Sequence, residues 1–265
     1  MKKLSLCMIV KNEEETLERA LENAIVFADE IIIVDTGSSD NTKTIAKKFT
    51  NKVYDFDWVD DFSKARNYSF SLASSPYLMW LDGDDIVTEK SAQSIVKWKE
   101  EGEDVDVLMC PYVASFDENF NPVFFYLRER IVKNDKNLRW NDRVHEVIIP
   151  RGEIKTNNEI KIYHGKKEKP QSNRNLLIYK KMIEEGEVLS PRSEFYYARE
   201  LYFNNFIDDA IHQFSKFLAE GKGWKENNIE ACLDLGKCYL IKKNYNNALT
   251  SLFGSFVYDL PKSEV

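Results

Sequence analysis

Asp82, Asp84 and Asp85 put three carboxylates into four positions, in the stretch WLDGDD that ends the apolar run 77–81. Like charges this close repel, so the arrangement asks for a positive partner during part of the working cycle. Asp82 and Asp84 flank Gly83. Hard divalent cations take oxygen ligands, and magnesium or manganese usually combines one or two protein carboxylates with substrate phosphates. Gly83 would let a ligand approach the backbone closely. The plain alternative is a solvated acidic loop.

Asp35 closes a second apolar run, in VDTGSSD. Its carboxylate can accept hydrogen bonds from a ring N–H or from ribose hydroxyls. Ser38, Ser39 and Asp40 suit a turn and a cap on the next helix. Arg66, in KARN, carries a planar guanidinium that suits a nucleobase or a phosphate, or it is an ordinary surface arginine. The chain has three histidines. His145 and Glu146 stand together in WNDRVHEVI, where a carboxylate within reach of an acceptor could take its proton; the alternative is a hydrogen-bonded rim pair. His164 ends IKIYHG as a possible imidazole ligand for manganese, or as a strand-end histidine without that duty. His212 has no chemical neighbours and reads as structural. Trp58, beside Asp57, Asp60 and Asp61, could lie over a sugar; a loop tryptophan next to capping aspartates is plainer.

These residues need a frame. Residues 4–10 form a nearly continuous apolar run, as in a strand covered on both faces. Asn12 and Glu15 read as a capping box for a helix whose stripe is Leu17, Ala20, Leu21, Ala24, Ile25 and Ala28. Strands at 30–34, 53–56, 77–81 and 105–109 then alternate with helices at 42–49, 62–73 and 88–100. Such alternation implies a parallel sheet with right-handed crossovers and a ligand site outside the strands' carboxyl ends. The acidic motifs follow the strands at 4–10, 30–34 and 77–81. Beyond Cys110, a turn at 117–122 and short runs at 123–127, 144–149 and 160–164 predict antiparallel strands forming a second wall.

The chain reads as helical beyond about residue 169. There Tyr197-Ala198, Leu201 and Ala210 recur as Leu235-Gly236, Tyr239 and Ala248. A helix pair of this grammar resembles a tetratricopeptide repeat; an ordinary helical bundle is the alternative.

VKNEE, VDTGSSDNT, KARN and LDGDD, in this order and spacing, resemble family-two glycosyltransferases of the GT-A fold, with the likeness carried chiefly by residues 4–90. The resemblance implies an α/β domain over 1–168, with a mixed, mostly parallel sheet and helices on both faces. An all-α, tetratricopeptide-like domain would follow over 169–265. It implies a metal-dependent, inverting transfer from a UDP-sugar or other nucleotide-diphosphate sugar. Asp35 and Arg66 would hold the base, and Lys11 and Glu13 would line the nucleotide pocket. Asp82 would face the ribose or stand behind the metal's ligands; Asp84 and His164 would bind Mn2+ or Mg2+. Glu146 would be the catalytic base, with His145 as neighbour or alternative. The sequence departs from many relatives at Val10-Lys11, where they show proline and tyrosine or a similar pair.

A net charge of −7 argues against nucleic acid as a partner of the whole surface. Four cysteines in apolar contexts, none in a CxxC pair, read as reduced thiols of a cytoplasmic protein. The opening MKKLSLCMIV runs into Lys-Asn-Glu without a cleavage site and reads as a strand, and no transmembrane segment is expected. The acceptor is left open among peptide, protein and glycan, with a protein partner possible on the helical domain. Two other functions compete. A nucleotidyltransferase making sugar nucleotides should carry a glycine-rich phosphate loop, which VKNEEE is not. A non-catalytic scaffold would have no use for so many carboxylates at strand ends.

Overall fold

β1 (Leu4–Val10) lies at the middle of the first unit because almost every residue in it is apolar. Leu4, Leu6, Met8 and Val10 project into one core, and Cys7 into another on the opposite face. In this computed structural model residues 1–165 and 172–259 are described. Contacts divide the chain into two units, Met1–Glu168 and Lys169–Val265.

The predicted first helix is two short ones, α1 (Leu17–Glu22) and α2 (Ala24–Phe27). Asn23 parts them, and its amide donates to the Val87 carbonyl at 2.8 Å. The break turns Ile25 out of the expected stripe to 58% exposure. Asn12 does not cap the helix. It takes a left-handed backbone (φ 54°), and its side-chain oxygen accepts from the Ser39 N–H at 2.8 Å. The chain continues through β2 (Glu30–Asp35), α3 (Thr42–Phe49), β3 (Val53–Asp55), α4 (Phe62–Ser71) and β4 (Tyr77–Asp82). Asp61 caps α4 by accepting from the Lys64 N–H at 2.9 Å.

β5 (Asp85–Val87) was not expected; three residues directly after a turn give no readable period. α5 (Glu89–Glu101) follows, capped by Thr88. β6 (Val107–Phe116) and β7 (Pro122–Lys133) form a hairpin far longer than the predicted runs. Its turn is tied by Asp117, whose carboxylate accepts from the N–H groups of Asn119 and Asn121. The run 144–149 shrinks to β9 (Val147–Ile148), paired with β8 (Trp140–Asn141) in a small second sheet. β10 (Ile154–Thr156) and β11 (Ile162–His164) complete the unit.

The main sheet runs β3-β2-β1-β4-β7-β6-β11-β5, with β10 on β6. β1, β2, β3 and β4 are parallel; β7 is antiparallel to both β4 and β6, and β5 to β11. It is thus a mixed, mostly parallel sheet. α1, α2, α3 and α5 contribute to the core on one face, and Phe70 of α4 to the core on the other.

The second unit is helical: α6 (Arg174–Glu184), α7 (Pro191–Phe203), α8 (Ile207–Glu220), α9 (Lys225–Ile241) and α10 (Tyr245–Gly254). α8 and α10 start at Ile207 and Tyr245, the 38-residue offset of the sequence pattern (245 − 207). Ala198, Ala210 and Ala248 are buried, and a Cβ at Gly236 would stand 2.8 Å from the Leu252 side chain. Small residues therefore sit where the helices approach closely.

Candidate active site

Strand register gathers the acidic motifs. On β1, Val10 pairs with Asp35 of β2 on one side, and Ile9 pairs with Asp82 of β4 on the other. With neighbouring strands about 4.8 Å apart, the two aspartates flank the same strand end. The loop after β1 joins them. Its Asn12 N–H donates to Ser38, and its Glu13 N–H donates to Thr42 at 2.7 Å. Glu13 is buried, and a Cβ at Gly83 would meet its Cγ at 2.7 Å. The group that needs Gly83 to be small is therefore Glu13, a protein side chain, where the sequence pointed to a ligand. Lys11 is exposed beside it.

Asp35 is buried. Its Oδ1 accepts from the N–H groups of Gly37 (3.0 Å) and Ser38 (2.9 Å). Gly37 supplies the positive φ of 99° that this tight turn demands. Asp35 Oδ2 is also buried and has no hydrogen-bond partner among the described residues. Asp40 accepts from the Thr42 N–H and hydroxyl, so it braces the start of α3 as expected.

Arg66 is 7% exposed and lies against both Trp80 and Trp140, its guanidinium carbon 5.0 and 4.7 Å from their centroids; the two rings meet edge to face, 4.9 Å apart. Its terminal nitrogen donates to Asp82 Oδ1 at 2.7 Å, and its Nε donates to Glu146 Oε1 at 2.6 Å. Burial works against the charged guanidinium, but the two carboxylates outweigh it and hold Arg66 above its usual range. For Asp82 burial raises the carboxyl, yet Arg66, with Arg130 and Arg128, holds it below the usual range. Arg66 thus joins the strand-four motif to Glu146, which lies 80 residues beyond the arginine itself. His145 takes a left-handed backbone (φ 53°), in a loop where the sequence pointed to an extended run.

Asp84, Asp85 and His164 form a cluster whose possible ligand atoms all lie within 4.8 Å of one another. The antiparallel β5–β11 register creates it by pairing Asp85 with His164. Two carboxylates and an imidazole fit Mn2+ or Mg2+ as a donor set. Asp85 is fully buried and ion-paired with Arg130 at 3.0 Å, also fully buried. Burial, with the charges of Asp82 and Asp84, pushes Asp85 up to about 6 against the pull of Arg130. Arg130 in turn stacks on Trp80, 3.6 Å from its centroid. Sequence reasoning missed Arg130, Tyr112 and the Trp80–Trp140 pair; an arginine 45 residues from its aspartate leaves no local signal. Trp58 follows the plainer reading, donating from its ring to Asp60 at 3.0 Å. His212 is exposed on α8 in the second unit.

The glycosyl transferase family 2 model matches residues 5–175. The SPbeta prophage-derived glycosyltransferase SunS of Bacillus subtilis is 24% identical over 253 residues, covering 90% of this chain and 59% of SunS. A TPR repeat-containing protein of Synechococcus elongatus is 44% identical over 85 residues, 32% of this chain and 21% of that protein. The chain therefore spans less than two thirds of either relative. In fold it is similar to S. aureus TarS 1–349 in complex with UDP-GlcNAc, with a TM-score of 0.55 at 15% identity, covering 98% of this chain and 93% of that one.

Proposed function

The chain belongs to glycosyl transferase family 2, and from that premise we propose that it moves a sugar from a UDP-sugar to an acceptor nucleophile, with inversion and with a divalent metal. The observation that carries this reading is Asp35, whose second oxygen is buried at a strand end without a partner among the described residues. An unmet buried acceptor costs free energy until a donor reaches it. The ring N–H of uracil is such a donor, and TarS, solved with UDP-GlcNAc, shares the fold.

In this reading Asp35 holds the base, with Lys11 and Glu13 lining the nucleotide pocket. Asp82 faces the ribose, held in place by Arg66. Arg66 itself is the brace between Asp82 and Glu146, and its stacked plane completes the floor beneath the nucleotide. Asp84 and His164 hold Mn2+ or Mg2+, which when bound supplies Lewis-acid neutralisation of the departing diphosphate. Glu146 takes the proton of the acceptor as the acceptor's lone pair bonds to the anomeric carbon. The bond from that carbon to the diphosphate breaks on the opposite face, and its electron pair leaves with the diphosphate. His145 stands beside the base.

The acceptor is a hydroxyl or thiol of a peptide, protein or glycan. The helical unit, read as tetratricopeptide-like from its 38-residue offset (245 − 207), offers a platform for that acceptor or for a protein partner. Buried free thiols suit a reducing cytoplasm. No helix among the described residues is long and apolar enough to cross a membrane.

Calorimetric titration with UDP tests the reading. Binding should be measurable with Mn2+ and should collapse with chelator or in Asp84→Ala. Binding indifferent to both would remove the metal from the account.

A further inference from the structure

We propose that Tyr112, held by Asp85, is a positioning residue that fixes which nitrogen of His164 faces the cation site. The proposal rests on Asp84 and His164 as metal ligands, as read above.

The case is a proton count. A tyrosine hydroxyl has one proton to give and lone pairs to accept with. The Tyr112 hydroxyl lies 3.1 Å from Asp85 Oδ1 and 2.9 Å from His164 Nδ1. Asp85's other oxygen accepts from Arg130 at 3.0 Å and from the Asp82 N–H at 3.1 Å. Oδ2 is thus taken by a guanidinium and a backbone N–H, and the phenol donates to Oδ1. Tyr112 therefore gives its proton to Asp85 and has only a lone pair left for His164. His164 Nδ1 must then be the donor. In a neutral imidazole this leaves the lone pair on Nε2, the nitrogen available to a cation beside Asp84. Asp85 in turn is held by Arg130 and the Asp82 N–H on Oδ2, so the oxygen that faces the phenol is fixed in place.

The fold prepares this chain of contacts on three strands. His164 on β11 sits opposite Asp85 on β5, and Tyr112 on β6 is paired with Ile162, two residues before His164. The Tyr112 ring is fixed on one side by Arg130, 4.5 Å from its centroid, and meets Tyr126 edge-on at 5.6 Å. Its hydroxyl therefore has little freedom to seek other partners.

Nitrogen-15 correlation spectra of the imidazoles in the metal-free protein test the first step, with His164 identified by the signal lost in His164→Gln. The expected result is the Nδ1–H tautomer in the wild type and a mixed population in Tyr112→Phe, which keeps the ring. Electron paramagnetic resonance of Mn2+ with UDP present gives the second readout. Affinity should fall roughly 10–100-fold in Tyr112→Phe. An Nε2–H tautomer in the wild type overturns the proposal, as does an unchanged tautomer or unchanged Mn2+ affinity in the variant. Failure of the wild type to bind Mn2+ would instead overturn the metal reading, while the tautomer result would still decide whether Tyr112 sets His164.

Discussion

A guanidinium packed against a pair of indoles can bridge two carboxylates because its fork is planar and rigid. Arg66 does this beside Trp80 and Trp140, reaching Asp82 with one arm and Glu146 with another. Lysine offers a single point charge and cannot span both. Arg66→Lys should therefore lower stability by about 3 kcal/mol, the low end for a broken buried pair because lysine keeps the charge, and weaken donor binding as Asp82 loosens. Urea unfolding with a parallel UDP titration checks this; a variant equal to wild type in both would remove the brace. Glu146→Gln is a different test at the same scale. It should leave UDP binding intact and slow transfer by roughly 10²–10⁴-fold, read as nucleoside diphosphate released with acceptor present. Wild-type transfer would clear Glu146 of the base role. The carboxylates of this site were legible in the sequence because acids after apolar runs stand out. Their partners were not, because Arg66 lies 16 residues from Asp82 and 80 from Glu146.

Elements with a clear period were the readable ones. β1, β2 and β4 and the helices α3 and α5 follow the predicted runs because their apolar residues repeat over several positions. β5 and β8 to β11 are two or three residues long and take their register from neighbours, so nothing local announces them. That is why His164 could be suspected from sequence while its pairing with Asp85 could not. At the opposite end of the sheet Glu30, the first residue of β2, accepts from Lys52, from the Ser5 hydroxyl and from the N–H and hydroxyl of Ser74. Burial raises this carboxyl, but those donors outweigh it and hold it at about 2 against an ordinary 4.5. The folded value is depressed, so the stabilisation is complete above the unfolded value and is lost as pH falls through the folded one. Glu30→Gln should lower the urea midpoint at neutral pH by an amount worth about 1–2 kcal/mol after solvent screening. The gap should close as pH drops from 4.5 toward 2; a gap constant across that range would contradict this account of β2.

For the whole molecule, the sequence already separated an α/β part from a helical part, since the apolar period changes near the boundary between Met1–Glu168 and Lys169–Val265. It could not tell what the helices serve, because their small residues record close approach between helices and not a ligand. Deleting residues 172–265 tests the platform reading. Transfer to the acceptor should suffer more than slow donor hydrolysis, measured on truncated protein that retains its circular dichroism. Equal survival of both would leave the helices without a role in acceptor use. The central claim is that Asp35, Asp82 and Asp84 serve one activated sugar through its base, its ribose and its diphosphate. The most direct measurement is anomalous diffraction from crystals soaked with Mn2+ and UDP. The account predicts a manganese peak against Asp84 and His164, with the uracil ring N–H on Asp35 Oδ2. Manganese or uracil bound elsewhere, with Asp35 and Asp84 untouched, would contradict it.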